Sequence, residues 1–567
     1  MTFRCKLKML SLAALTLAAF SVTAKAETWV PTATQATSVA SRATTNVMHI
    51  AAMPAGSQVH VVVSLRLRNK ADLDALTQKI MSGHAAKALS SAEFMRLYAP
   101  TQEQVQAVVK HLSNHGFTNI TVSHNNLLVS ANGNATTVKA AFNTALETYD
   151  VNGRRAYANT SGASVPQSLG DIVLAVHGLQ TVHLAHTMFI KPKHKANDVT
   201  AHDPSDFPII YNASSLPSAT NATIGIITEG DMTQTIADLN TFTSNEQYPQ
   251  VNVNTVVVNG ASSDTSGVDE WNMDTQDSLA AAGGTINQMI LYAANSMSDA
   301  DLTAAYNQAV SDNKAQVINV SLGECETDAQ SSGVTASNDQ IFQSAVAQGQ
   351  TFSVSSGDSG AYECDTQSTA QSYPAVSPYV IALGGSQVNT DSSANWISES
   401  VWSCTDWQSC QQSASGGAGG GPSVTESAPS WQTQSGVLGS ATSRGVPDIA
   451  LDADPSSGAL VLINGSQEQI GGTSLAAPLF TGFWARVQSQ NNNSLPFPAA
   501  AMYQQAAANP GMYNDITSGS NGGYNAGPGW DYASGFGSLN VANFATGITG
   551  SPASSSANVF KSKAGSN

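Results

Sequence analysis

No histidine occurs after His202 in this chain of 567 residues. The long C-terminal part therefore has no imidazole base of its own, and proton transfer through a group of pKa about 6.5 is excluded there. Basic residues thin out at the same point. From Asp198 onward only Lys314, Arg444, Arg486, Lys561 and Lys563 stand against 32 Asp and Glu, which excludes the basic footprint that nucleic-acid binding requires. Beyond the first residues no apolar run reaches the 18 or so positions of a membrane-spanning helix, so no membrane span is expected. No Cys-x-x-Cys pair exists to suggest zinc.

Arg4, Lys6 and Lys8 precede the apolar run Met9 to Val22, and Ala24-Lys25-Ala26 supplies a small-x-small site. This pattern predicts a secretory signal over residues 1–26 and a soluble, secreted product, extracellular or periplasmic in transit. Cys5 leaves with the signal. Cys325, Cys364, Cys404 and Cys410 remain, and an even set in an exported protein points to disulfides. Four cysteines allow three pairings; the short spacing of Cys404 and Cys410 favours a local loop, with a second bridge between Cys325 and Cys364.

The net charge of −17 conceals a division. Residues 27–197 carry 14 Lys and Arg against 8 Asp and Glu, whereas the part from residue 198 onward has a net charge of −27. A lysine-poor acidic body suits a protein that stays folded in acid, because repulsion among carboxylates falls as they protonate. The first body alternates strand and helix patterns: strand-like Val59 to Leu65, a helix over Lys70 to Met81, and another after Pro100-Thr101-Gln102-Glu103. Strand-like Ile120 to Ser123 and Leu127 to Ser130 follow, then a helix from Ala135 to Thr148. Lys191 to Lys195 and the polar stretch to Asp206 have linker composition and offer a place for cleavage. Beyond Ala219, short apolar runs separated by helices predict strands buried in a parallel sheet: Ile224 to Thr228, Val251 to Val258, Ile290 to Ala293, Val317 to Ser321, Phe352 to Ser355 and Val380 to Leu383. Ser413 to Ser423 reads as a mobile Gly/Ser loop, and the tail from Gly550 lacks apolar periodicity.

Four positions carry candidate chemistry. Glu270 and Asp274 lie four apart, so a helix would project both from one face, where one is pushed toward protonation while the other stays ionised. On spacing alone a solvated acidic face is the commoner reading. Ser474, in Gly471-Gly-Thr-Ser-Leu-Ala-Ala-Pro478, precedes the helical pattern Leu475 to Gln488, with Pro478 placed in the first turn; a plain N-cap fits the serine equally well. Asp358, in Ser356-Gly-Asp-Ser-Gly360, follows a buried-strand candidate, where open α/β sheets place ligand groups and where a turn aspartate is also common.

Together these motifs resemble the sedolisins, serine-carboxyl peptidases that include pseudomonalisin- and kumamolisin-like members. The resemblance runs from Glu27 to about Ile548 and includes Ser91-Ala-Glu-Phe-Met-Arg-Leu-Tyr-Ala-Pro-Thr101, Glu-Trp-x-x-Asp at 270–274 and the Asp358 and Ser474 motifs. It implies an α/β fold: a smaller α+β, ferredoxin-like activation propeptide over residues 27–197, a subtilisin-like parallel-sheet peptidase domain over 198–548, and a tail over 549–567. It further implies Ser474 as nucleophile, Glu270 as general base and later acid, Asp274 orienting Glu270, and Asp358 as oxyanion donor. One structural Ca2+ would be held by the Asp515 and Asp531 carboxylates and the carbonyls of Ile516, Gly527 and Gly529. Asn272 is read as shortening a further acidic relay, and Glu229 as a solvated loop residue rather than a support.

The chemistry agrees with those roles. Near pH 4 a histidine is protonated, whereas a glutamate of pKa about 4.3 still accepts a proton, and a carboxylic acid donates to an oxyanion only while protonated. The expected product is a monomeric acid-active endopeptidase acting on polypeptides and inhibited by its own propeptide. Attraction between the two bodies should fade as carboxylates neutralise and the eleven histidines charge near 6.5. A catalytically dead binding protein would not need the intact set of four; an ordinary subtilisin-type enzyme would need a histidine after His202, which itself sits in the linker.

Overall fold

The computed structural model describes residues 28–84, 86–192, 200–412 and 416–549. The expected signal, part of the linker and the tail from residue 550 lie outside them; Thr549 closes a helix, Val541–Thr549.

The N-terminal body is built on β1 (Gln58–Leu65), α1 (Lys70–Met81), α2 (Gln102–Asn114), β2 (Thr118–Val122), β3 (Leu128–Asn134), α3 (Ala135–Phe142) and β4 (Val173–His177). Its antiparallel sheet has the order β2-β3-β1-β4, the ferredoxin-like arrangement expected. The helix after Pro100 starts where the Thr101 and Gln104 side chains cap each other's backbone N–H groups. Val61, Val62 and Val63 form an unbroken apolar run in β1 because both faces of the strand are covered there. Val61 and Val63 pack with Val105, Val108 and Phe142 in the body's own core, while Val62 faces the other way into the main core of the molecule. The outer face of the sheet lies on two helices of the larger body, β1 on Asp299–Asp312 and β4 on Val334–Gln348. Gln340 clamps the end of β1, accepting from Leu67 N–H at 3.1 Å and donating to the Leu65 carbonyl at 3.2 Å.

The helix expected from Ala135 to Thr148 is shorter. It stops at Phe142, where Asn143 turns left-handed at φ 52°, a conformation asparagine tolerates. Leu146–Val151 then forms the centre of a second antiparallel sheet with Val47–Ala52 and Arg154–Asn159.

The larger body is an eight-stranded sheet flanked by helices. Its elements are β5 (Thr223–Glu229), β6 (Val253–Val258), α4 (Val268–Ala281), β7 (Gln288–Ala294), β8 (Val317–Val320), β9 (Leu322–Cys325, outside the main sheet), β10 (Thr351–Ser355), β11 (Ile381–Thr390), β12 (Trp396–Val401), β13 (Ile449–Asp452) and α5 (Thr473–Gln490). The order is β6-β7-β5-β8-β10-β11, with antiparallel β12 and parallel β13 both on β11. Each strand predicted from an apolar run is present. The order reverses between β5 and β8, and the C-terminal ends gathered there are where such sheets build sites.

Two helices bring distant segments together over this edge. A Cβ at Gly482 of α5 would stand 2.4 Å from the Ser278 carbonyl oxygen and 2.5 Å from Ala281 Cβ of α4, so the missing side chain is what lets the helices touch.

Both disulfides form as expected, Cys325–Cys364 and Cys404–Cys410. The first closes a loop with a sequence separation of 39. Replacing both its cysteines by serine should lower stability by about 4 kcal/mol on the chain-entropy account, read as a drop in urea midpoint; the six-residue separation of the second predicts a smaller loss.

Three expectations about exposure are corrected. The Gly/Ser run is not a loop in solvent where it is described: residues 416–421 are buried, Gly417 and Gly419 donate to the carbonyls of Asp358 and Gly357, and Gly421–Ser427 is a strand. Glycines there serve close backbone packing. His202 is buried rather than free in a linker, pairing through its backbone with Gly458 and Leu460. Glu229 is buried at the end of β5, and burial lifts its pKa to about 7.

Candidate active site

Glu270 and Asp274 project from α4 one turn apart and both are fully buried, which removes the solvated-face reading. Burial pushes Glu270 well above the ordinary carboxylate range and the charge of Asp274 pushes it further; the Ser474 hydroxyl and the Met188 backbone oppose this. Asp274 is also raised by burial, against the favourable Ser321 and Asn319 side chains. A pair so placed shares protons as a unit.

α5 starts at Thr473, so Ser474 lies inside its first turn and Pro478 falls in the second turn rather than the first. A proline there has no N–H for the Ser474 carbonyl. That carbonyl instead lies 3.4 Å from Ser321 Oγ, whose hydroxyl donates to Asp274 Oδ1 at 2.6 Å. Asn319 Nδ2 in turn donates to Ser321 Oγ at 2.9 Å. Ser474 Oγ donates to the Ser321 carbonyl at 3.2 Å, and neither oxygen of Glu270 has a partner in hydrogen-bonding geometry. The serine hydroxyl thus points at the Ser321 carbonyl while lying close enough to Glu270 to oppose the rise in its pKa.

Asp358 follows β10 at the sheet edge. Its Oδ1 accepts from Thr473 N–H and Thr473 Oγ, both at 2.8 Å, while Oδ2 is buried with no partner. Burial raises its pKa to about 7 despite those donors, so over the acid range it is a neutral carboxylic acid with a free O–H.

The end of the N-terminal body threads this site. His186–Thr187 pairs antiparallel with β9, His186 opposite Gly323. Met188 N–H donates to the Ser321 carbonyl at 3.3 Å, and Ser474 N–H donates to the Met188 carbonyl at 3.0 Å. Gly472, at φ 115°, makes room: a Cβ there would stand 2.3 Å from the Met188 carbonyl oxygen and 2.7 Å from Asp358 Oδ2. A hydroxyl, a carboxylate pair, an N–H and a carboxylic acid therefore surround one peptide carbonyl. That set can attack an acyl carbon and hold the oxyanion.

A family model described as the pro-kumamolisin activation domain matches residues 45–182, and one described as the subtilase family matches residues 271–537. Sedolisin of Pseudomonas sp. (strain 101) is 46% identical over 95% of each chain. The chain belongs to the sedolisin family. Xanthomonalisin of Xanthomonas sp. (strain T-22) is 42% identical, covering 88% of this chain and 66% of that one. The solved Pseudomonas sedolisin, a serine-carboxyl proteinase complexed with two molecules of pseudo-iodotyrostatin, matches with a TM-score of 0.59 at 47% identity over 62% of this chain and 99% of its own. This sedolisin-family chain is a serine-carboxyl peptidase made as a zymogen, with an activation domain ahead of its subtilase-like domain.

Other expectations from the sequence fare unevenly. Asn272 does not join the carboxylate pair: its Nδ2 donates to Asp238 Oδ2 at 2.8 Å and to the Leu462 carbonyl at 3.0 Å. Asp277, one turn beyond Asp274 on the same face, is buried with both oxygens unpartnered and its pKa raised by burial. Sequence reading missed it, though the i, i+4, i+7 spacing was its signal. Ser321, which ties α5 to Asp274, carried no motif at all. Nor do all the histidines charge near 6.5: burial pulls His177 and His202 down to about 4, and lowers His186.

For calcium the donor set fits in kind. Asp531 Oδ1 accepts from Ala533 N–H, Ser534 N–H and Ser534 Oγ, its Oδ2 accepts from Gly527 N–H, and Asp515 Oδ2 accepts from Gly529 N–H. These bonds gather two carboxylates on one turn. Burial raises Asp531 to about 6 and raises Asp515, and neither has an ion-pair partner among the described residues. Unbalanced negative charge with hard oxygen donors suits a divalent cation. No group of three or more His, Cys, Asp or Glu side chains placed to hold a metal ion occurs among the described residues, so carbonyls would complete the shell.

Proposed function

We propose that this chain is a secreted, acid-active endopeptidase in which Ser474 forms an acyl-enzyme and the zymogen processes itself at low pH. The observation that carries the reading is the Met188 carbonyl, which accepts from Ser474 N–H and shares the space over Gly472 with the unpartnered Asp358 Oδ2. In this reading departure of the propeptide strand readmits water and lets Glu270 ionise, and the Ser474 hydroxyl rotates from the Ser321 carbonyl toward it; Glu270 then takes the proton and later returns it to the leaving amine. Asp274 holds the proton balance of Glu270, and Asp358 donates its O–H to the oxyanion.

Acid release of the propeptide draws on interface groups. Arg42 and His183 both reach Asp328 across the interface, at 2.5 and 3.3 Å. His177 is buried against Ser337 Oγ at 2.8 Å. Its pKa is lower in the docked state, about 4 against 6.5, so falling pH favours the separated state progressively between those values.

Digestion of casein by the processed enzyme should peak in acid, and the zymogen carrying Ser474→Ala should neither process itself nor digest casein. An optimum near neutrality, or activity surviving the substitution, would sink the mechanism. We further propose that the enzyme is monomeric and that Asp515, Asp531 and the carbonyls of Ile516, Gly527 and Gly529 hold one structural Ca2+. Bound at a hundredfold excess over Kd, calcium would add about 3 kcal/mol of stability. Chelation should therefore lower the melting temperature of the wild type, and Asp531→Ala should abolish the difference. Equal melting with chelator and with calcium would refute the site.

A further inference from the structure

Three glycines from three separate segments pack against one disulfide. A Cβ at Gly360 would stand 2.8 Å from both sulfurs of Cys404–Cys410, one at Gly417 would stand 2.4 Å from Cys404 Sγ, and one at Gly522 would stand 2.6 Å from Cys410 Sγ. Both cysteines are buried. A side chain at any of the three positions would strike sulfur, so the segments close directly on the disulfide.

The first of these segments carries Asp358. Gly417 N–H donates to the Asp358 carbonyl and Gly360 N–H donates to the Gly417 carbonyl, both at 2.9 Å, so Gly417 grips the loop on either side of Ser359. Cys404 N–H donates to the Ser520 carbonyl at 3.0 Å and Ala361 N–H to the Asn521 carbonyl at 3.1 Å, which ties the third segment to the other two. At the front of the loop Thr473 supplies both donors to Asp358 Oδ1. They fix one oxygen of the carboxyl. Where Oδ2 then points depends on where the Asp358 main chain is held, and that main chain rests on Gly417 and Gly360 with the disulfide behind them.

Resting on the reading of Asp358 as oxyanion donor, we propose that Cys404 and Cys410 are positioning residues for catalysis: their disulfide is the backing that holds the Asp358 main chain at the distance from which Oδ2 meets the substrate carbonyl. With a sequence separation of only 6, the bridge restricts the unfolded chain much less than Cys325–Cys364 does. Its effect is on the geometry of the loop. Opening it lets the loop shift and admits water, which relieves the burial that holds the Asp358 pKa at about 7. The alkaline limb, where the donor loses its proton, then moves to lower pH. Glu270 of α4 and Glu363 of its own loop are the titratable groups that face Asp358; residues 188–190, 416–419, 472–476 and 520–522, packed around it, carry none.

Processed enzyme carrying Cys404→Ser and Cys410→Ser together is compared with wild type on one peptide substrate from pH 2 to 8, with urea unfolding alongside. kcat should fall about thirtyfold, the scale of a misplaced but present catalytic group, with KM within twofold. The alkaline limb of kcat/KM should move about half a unit toward acid. Added to Asp358→Asn, the same two substitutions should lower kcat again but leave the limb in place, because an amide has no proton to lose there. Gly417→Ala keeps the disulfide and sets a Cβ against Cys404 Sγ, so it should lower kcat in the same direction; it decides the matter if the serine variant fails to fold. A serine variant with kcat within twofold of wild type, an unmoved alkaline limb, or a limb that moves equally in the Asp358→Asn background would each overturn the inference. If Asp358→Ala lowers kcat and the serine variant does not, this inference alone fails; if Asp358→Ala leaves kcat unchanged, the oxyanion reading itself fails.

Discussion

Glu270→Gln should reduce kcat about a million-fold, as much as Ser474→Ala, and the double variant should be no worse than either. Glutamine keeps the shape of the side chain and loses only the ability to take a proton, so the comparison isolates the base. Non-additivity follows because nucleophile and base act as one unit: once the hydroxyl cannot be deprotonated, removing it changes nothing further. Stability should move the other way. Glu270 is fully buried and its folded-state pKa is raised, so its contribution is complete below the ordinary value and is lost as pH rises through the folded value. The neutral amide escapes that loss, and Glu270→Gln should melt no lower than wild type at pH 7. An inactive variant that also melts lower there would have lost its fold, not its base. Activity within tenfold of wild type would require a different base.

Asp358→Asn should extend activity toward neutral pH, whereas Asp358→Ala should lower kcat 10²- to 10³-fold at every pH, the loss typical of an oxyanion donor. The difference lies in which atom faces the carbonyl. Thr473 N–H and Oγ both donate to Oδ1 at 2.8 Å and hold that position as an acceptor. In the asparagine variant the same donors select the amide oxygen there, which leaves the NH2 group at the Oδ2 position beside the Met188 carbonyl. The wild-type acid donates only while protonated. Its pKa of about 7 comes from burial, so the proton is present below that value and is lost as pH rises through it, and opening the cleft relieves part of the burial and brings the loss to lower pH. Profiles of kcat/KM from pH 2 to 8 should show the alkaline limb of Asp358→Asn at least one unit above wild type. Coincident limbs would remove Asp358 from the oxyanion site.

Much of the architecture was legible in the chain. Apolar runs such as Ile224 to Thr228 and Phe352 to Ser355 became sheet strands because strands covered on both faces need no polar alternation. Capping residues placed the start of α2 at Thr101. Misreadings arose where a short segment has two local readings and packing chooses between them. Asn143 could sit in a helix or end one, and the strand pairing of Leu146–Val151 decided. Residues 416–421 are as glycine-rich as a mobile loop, yet their hydrogen bonds to Gly357 and Asp358 bury them. His202 and Glu229 looked solvated because nothing local reveals what covers them.

The same boundary runs through the site. By itself the sequence determined the family, the four candidate residues, the absence of a histidine base and the placing of Glu270 and Asp274 on one helix face, all of which depend on residue type and short-range spacing. Only the tertiary structure decided that Ser321 joins α5 to Asp274, that Asp277 is sealed behind the pair, that burial raises Glu270, Asp274 and Asp358 together, and that Met188 lies at Ser474 N–H. Helical periodicity is a property of neighbouring residues. Desolvation and strand register belong to segments hundreds of positions apart, and they exist only once packing has removed the water between them.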